Sequence, residues 1–213
     1  MSKAKKIVVL DGFALNPGDL DWASLRALTK ECLIFDRTPP ELVAERAAGA
    51  DVVFTNKVVL NEAVFAKLPD LKYVGVLATG YNVVDIPGAR KHGITVTNIP
   101  TYGTGSVAQH VFALLLELAN HAGGYDASIR KGDWSKQSDF CYHLAPLTEL
   151  AGKTLGLIGY GRIGSATAAI ARAFQMNVVA CSRSAAPGSV DRDGTKYVTL
   201  EELLRQSDVV SLH

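Results

Sequence analysis

Gly159, Gly161 and Gly164 stand in the order G-x-G-x-x-G, directly after the short apolar run Thr154-Leu155-Gly156-Leu157-Ile158. Glycines at this spacing turn a strand into a helix around a phosphate. The first allows a tight turn, the second lets backbone approach a pyrophosphate, and the third lets the helix pack close to the strand. The anion rests on the helix N-terminus, where unpaired N–H groups and the helix dipole both favour negative charge. A helix-compatible run from Ser165 to Phe174 follows, and the apolar segment Asn177–Cys181 completes a βαβ unit. The turn is therefore read as dinucleotide-binding.

The elements that hold such a turn recur along the chain. Apolar runs at Ile7–Leu10, Cys32–Phe35, Val52–Thr55, Tyr73–Leu77 and Ile94–Thr97 alternate with helical stretches, which predicts a parallel sheet with helices on both faces. Thr38-Pro39-Pro40-Glu41 predicts a helix start with Thr38 as cap, and Gly49 its end; Arg90-Lys91-His92-Gly93 predicts another helix end. From about Thr104 to His121 a long helix carries apolar residues around most of its circumference, so burial on several sides is expected, at a domain boundary or in a subunit interface. A second βα array begins at Thr154, and Val209–Leu212 forms its fourth strand, an open edge in a doubly wound order.

Composition narrows the function classes. With 213 residues, 48% of them hydrophobic, 20% charged and a net charge of +1, the chain reads as a globular protein of one or two domains. That charge gives no electrostatic reason to expect nucleic acid or an anionic membrane as partner. Cys32, Cys141 and Cys181 are odd in number and widely spaced, which argues for reduced thiols in the cytoplasm and against a disulfide or zinc framework; no metal is expected. Lysines 3, 5 and 6 precede an apolar run that is too short for a signal peptide, and the long helix is interrupted by Gln109, His110 and Glu117, which argues against a membrane span.

Four motifs occur in sequence: Val76-Leu77-Ala78-Thr79-Gly80-Tyr81-Asn82-Val83-Val84-Asp85, Ser106-Val107-Ala108-Gln109-His110, the glycine turn, and Ser207-Asp208-Val209-Val210-Ser211-Leu212-His213. Together they resemble the D-isomer-specific 2-hydroxyacid dehydrogenases, and within them the glycerate dehydrogenase and hydroxypyruvate reductase branch. The resemblance implies an α/β protein of two βα domains. Residues 1–100 would form a flavodoxin-like substrate domain, incomplete without a C-terminal return. Residues 101–213 would form a partial Rossmann domain, a doubly wound parallel sheet that binds NAD(P) and stops after its fourth strand.

The resemblance also implies roles for particular residues. Ala78, Thr79 and Gly80 match the loop whose backbone N–H groups hold the substrate carboxylate, and Gly80 is expected to need glycine's freedom. Gly159, Gly161, Arg162, Ile163 and Gly164 match the pyrophosphate loop. Thr104 and Val107 fall where the family's interdomain helix nears the cofactor, with a cap and a core contact as the alternative readings. Where NAD-preferring members carry an acidic residue, about 20 residues after the glycines, this chain has Ser182 and Arg183. A neutral Ser182 and a cationic Arg183 suit a 2′-phosphate, so NADP is favoured; the alternative is a solvated Arg183 with NAD retained.

The family's carboxylate-binding arginine, and the histidine–glutamate pair that protonates the substrate carbonyl, match none of the 213 residues. No catalytic residue is assigned within the chain, and the chain by itself is expected to be inactive. His92, His110, His121 and His213 read as parts of helices or strand ends; His143 has no evident structural role. The expected function of the whole protein is interconversion of a small D-2-hydroxy acid and its 2-keto acid by a cytoplasmic homodimer. The alternatives are a non-catalytic dinucleotide sensor of the corepressor kind and a decoy subunit. Fold alone does not separate them.

Overall fold

The computed structural model describes residues 4–213; Lys3 lies outside them. Two compact units divide the chain, Met1–Tyr102 and Gly103–His213.

The first unit is a five-stranded parallel sheet. Its strands are β1 (Ala4–Val9), β2 (Thr29–Ile34), β3 (Val52–Thr55), β4 (Tyr73–Val76) and β5 (Thr95–Thr97), and they lie in the order β2-β1-β3-β4-β5. Ile7, Val8, Val9 and Leu10 are all at most 2% exposed, as expected of a strand covered on both faces. β2 lies at the edge and stays partly exposed. Helices α1 (Ala23–Arg26), α2 (Val43–Arg46), α3 (Glu62–Phe65) and α4 (Ile86–Lys91) are short. The apolar faces of α2, α3 and α4, together with the strands, build a core that includes Leu10, Val43, Val53, Leu60, Phe65 and Val74.

Local punctuation follows the sequence closely, with one correction. Gly49 and Gly93 adopt φ of +71° and +70° where the helices before them end. Thr38, however, caps nothing. A 3₁₀ turn at Pro40–Leu42 precedes α2, and the buried Thr38 hydroxyl instead donates to the Leu10 carbonyl (2.5 Å) while accepting from Arg46 (2.9 Å). Pro39, extended at ψ 153°, takes the position before the turn itself, so Thr38 lies one residue outside it.

The second unit begins with α5 (Thr104–Asn120), followed after His121 by α6 (Ala122–Arg130). His121 takes a left-handed φ of 53°, which ends one helix and starts the next. The Glu117 carboxylate accepts from the Gly123 N–H at 3.0 Å and so caps α6. Strands β6 (Thr154–Ile158), β7 (Asn177–Cys181), β8 (Lys196–Tyr197) and β9 (Val209–Leu212) form a parallel sheet ordered β8-β7-β6-β9, a doubly wound 3-2-1-4 arrangement with β9 at one edge. Helices α7 (Arg162–Ala173) and α8 (Leu200–Gln206) complete the array. Only Gly164, Thr167, Ala168 and Ala171 of α7 are buried; these small residues let the helix lie close on its neighbours.

The expected burial of α5 on several sides is not observed within its unit. One face buries Ala108, Phe112, Leu115 and Ala119, the last three in the second core, where Phe112 stacks on Phe174 at 5.3 Å. Val107, Leu114 and Leu118 remain 42%, 55% and 75% exposed. An apolar circumference records what a helix could bury, and a single packed neighbour covers only one stripe.

Candidate nucleotide and carboxylate sites

β6 delivers the chain to Gly159, whose φ is +96° and whose N–H bonds the Cys181 carbonyl at 2.9 Å. A Cβ there would stand 2.3 Å from the carbonyl oxygen of His213, and one on Gly164 would stand 2.4 Å from that of Gly159. Both contacts are with backbone, which has little room to yield. Gly161 differs, because a Cβ on it would meet nothing within 4 Å. Its closeness to open space is what an approaching ligand requires.

Gly161 is also the N-cap of the twelve-residue α7, and it provides no side-chain cap, nor is there an acidic residue in the first turn. The first-turn N–H groups of a helix have no intrahelical acceptor and carry the positive end of its dipole. Thr104, Gly161, Arg162 and Ser165 line a common open basin of about 620 Å³, which Asp191, Arg192 and Asp193 also line. Ile163, one residue into the helix, is half-buried. Thr104 is thus brought to the glycine turn, whereas the exposed Val107 does not line this basin.

Ser182 and Arg183 follow β7, which pairs with β6 in register through Ile158 and Cys181. They therefore sit one strand over from Gly159. The Ser182 hydroxyl lies 3.0 Å from that of Ser184, while Arg183 is exposed and makes no hydrogen bond or ion pair among the described residues.

A brace behind the turn has no signal in the sequence. The Tyr160 hydroxyl and the fully buried Thr195 hydroxyl are 2.7 Å apart, and Arg172 donates to the same Thr195 oxygen. Burial alone would raise Asp191's pKa, yet hydrogen bonds from Thr195 and Tyr160 and the nearby Arg172 charge hold it below the usual carboxylate range. Burial, with the Asp191 charge next, pushes the Tyr197 phenol up. Tyr160 occupies a variable position of the glycine motif, and its partner lies 35 residues away. Only the folded chain makes the pair visible.

In the first unit, Ala78, Thr79 and Gly80 follow β4. Their carbonyl and hydroxyl groups are engaged by the segment after β5: Ile99 N–H donates to Ala78 (3.1 Å), Asn98 to the Thr79 carbonyl (2.8 Å), and the Thr79 hydroxyl to the Ile99 carbonyl (2.9 Å). No hydrogen bond among the described residues uses the N–H groups of Ala78, Thr79 or Gly80. Successive N–H groups without such a bond, on a loop fixed by its acceptors, are the kind of backbone that can receive an anion. Gly80 does not need glycine's freedom, contrary to expectation. Its φ is not positive, and a Cβ would meet Asn82 at an ordinary 3.5 Å.

The histidines contribute little here. His92 ends α4 against Phe65, His121 joins α5 to α6, His143 is exposed, and His213 bonds Ile158 through its N–H and Ser211 through its ring. No cluster of three or more metal-ligating side chains occurs among the described residues, and none of their helices is long and apolar enough to cross a membrane.

Comparison with known proteins supplies the context. Residues 112–213 match the family described as D-isomer specific 2-hydroxyacid dehydrogenase, NAD binding domain. A hydroxypyruvate reductase of Blautia hydrogenotrophica is 51% identical over 211 residues, covering 98% of this chain and 65% of that protein. A glycerate dehydrogenase of Methylorubrum extorquens is 42% identical over 174 residues, covering 82% and 53%. The chain thus spans about half to two thirds of the length of these relatives. Among solved structures, an acyclic imino acid reductase in complex with NADPH and D-Arg superposes with a TM-score of 0.76 at 31% identity, over 98% of this chain and 64% of that one.

Proposed function

The chain belongs to the D-isomer specific 2-hydroxyacid dehydrogenase family, and from that premise we propose that the protein interconverts a small D-2-hydroxy acid and its 2-keto acid, with glycerate and hydroxypyruvate the favoured pair. The observation that carries this reading is the uncapped N-terminus of α7 beneath the open space over Gly161. Those features fit a pyrophosphate, and a bound nicotinamide dinucleotide supplies or accepts the hydride. Gly159, Gly161, Arg162, Ile163 and Gly164 hold the pyrophosphate, with Thr104 beside them. The free N–H groups of Ala78, Thr79 and Gly80 hold the substrate carboxylate.

Arg183 extends the reading to the cofactor's second phosphate. Exposed, without an ion-pair partner among the described residues, and next to a neutral Ser182, it favours NADP. The 51% identical relative named as a hydroxypyruvate reductase supports the substrate assignment. The exposed apolar stripe of α5 supports a homodimer, and the three free cysteines suit the cytoplasm.

The test is nucleotide titration of the 213-residue chain, monitored by fluorescence. NADPH should bind more tightly than NADH, and Ser182→Asp with Arg183→Ala should weaken NADPH roughly 10- to 100-fold, the worth of a charge-assisted hydrogen bond. Preference for NADH in the unaltered chain would overturn the NADP assignment. Failure to bind either nucleotide would overturn the site.

A further inference from the structure

The first unit contains a second cavity, of about 430 Å³, at the carboxyl ends of β1, β2 and β3. The order β2-β1-β3 places its centre where the chain, having gone from β1 outward to β2, crosses back to β3. Such a switch point in an open α/β sheet leaves a crevice between diverging loops, and it is where ligands of such sheets bind. The volume lies within the range of small-molecule sites. Neither the glycine turn nor the loop at Ala78–Gly80 contributes to it.

Its lining has a definite chemical character. Val43, Val58, Val59 and Val64 give an apolar wall. At the floor lies the buried Asp11, 5% exposed, whose carboxylate accepts the N–H groups of Asn56 (2.8 Å), Lys57 and Val58 (3.1 Å). An ionised carboxylate has about four lone-pair sites, so Oδ1, with one donor, has capacity for another. Arg37 and Lys57 line the rim, both exposed and neither ion-paired among the described residues; Asp36 stands beside them. Arg37 is held over the Phe13 ring at 4.6 Å.

Two carboxylates and two cations around an apolar wall complement neither a plain anion nor a plain cation. A carboxylate ligand without an ammonium would face Asp11 unscreened, and an amine without a carboxylate would face Arg37 and Lys57. We infer that this cavity binds a zwitterionic amino acid with an aliphatic side chain, its ammonium toward Asp11, its carboxylate toward Arg37 and Lys57, and its side chain on the valines. The site shares no lining residue with the nucleotide turn and takes its ligand without nucleotide.

Calorimetric titration of the 213-residue chain with L-leucine tests this, with 4-methylpentanoate and 3-methylbutylamine as analogues lacking the ammonium and the carboxylate. L-Leucine should saturate one site per chain, and each analogue should bind at least about tenfold more weakly. Arg37→Ala and Lys57→Ala, both at exposed positions, should each weaken L-leucine about tenfold without altering the thermal melt, while Arg183→Ala should leave L-leucine binding unchanged. The proposal is overturned if L-leucine shows no saturable binding, if 4-methylpentanoate binds as tightly, or if neither rim substitution changes the affinity. A chain that binds NADPH but not L-leucine would refute this site alone.

Discussion

The three glycines of one motif serve separable purposes. Gly159 and Gly164 are required by backbone that approaches within 2.4 Å of where a Cβ would lie, whereas Gly161 faces open space with an ordinary φ of −91°. Substitution should separate the two roles. Gly164→Ala should cost about 1–3 kcal/mol of stability by overpacking. Gly161→Ala should cost less than about 1 kcal/mol, yet weaken nucleotide binding at least about tenfold, because its methyl enters the space proposed for the pyrophosphate. Urea denaturation and nucleotide titration of both variants provide the measurements. A Gly161→Ala chain with undiminished affinity would place the ligand elsewhere.

At the level of elements, β1 is tied to the start of β3 by one side chain. The Asp51 carboxylate, just before β3, accepts the N–H groups of Lys5 (2.9 Å) and Lys6 (3.1 Å) on β1, with the Lys72 ammonium 3.6 Å away. The Lys6 hydrogen bond is the main reason its pKa is lowered, and burial opposes it. A folded-state pKa below the unfolded one means stabilisation that is fully present above the unfolded value, about 3.9, and is lost as pH falls through the folded value. Asp51→Ala should therefore destabilise by about 1–3 kcal/mol at pH 7, and the gap to the parent chain should narrow below about pH 4. Equal gaps at pH 7 and pH 3 would show that the charge of Asp51 contributes nothing.

For the whole molecule, the unanswered surface is α5. Val107, Leu114 and Leu118 recur at helical spacing and stay exposed although the opposite face is packed. The proposed homodimer would bury them. Leu114→Glu with Leu118→Glu should shift the chain from dimer to monomer in sedimentation velocity, with the melting temperature of a dilute sample little changed, since neither side chain belongs to the core. A parent chain that is monomeric at high concentration would remove this role from the helix.

Periodicity alone located most of the fold. β3, β6, β7 and β9 coincide with their apolar runs: the central β6 is nearly continuously apolar because both its faces are covered, while β9, though an edge strand, is bounded by the polar residues beside it. The glycine turn was legible for a similar reason: its requirements are local, within six residues. β8 was not, since Lys196–Tyr197 has no apolar signature and exists only through pairing with β7. Nor was α6, whose first turn holds two glycines, poor helix formers, and is capped by Glu117. Thr38 and Gly80 were misread locally, as a cap and as a turn in need of glycine's freedom, and only their neighbours in space show what each does. The Tyr160–Thr195–Arg172 brace and the charged cavity at Asp11 join residues 20 to 50 positions apart. Sequence fixes which groups a chain carries and the conformations open to each segment; which distant groups meet depends on strand order and helix packing, through burial shared among all of them.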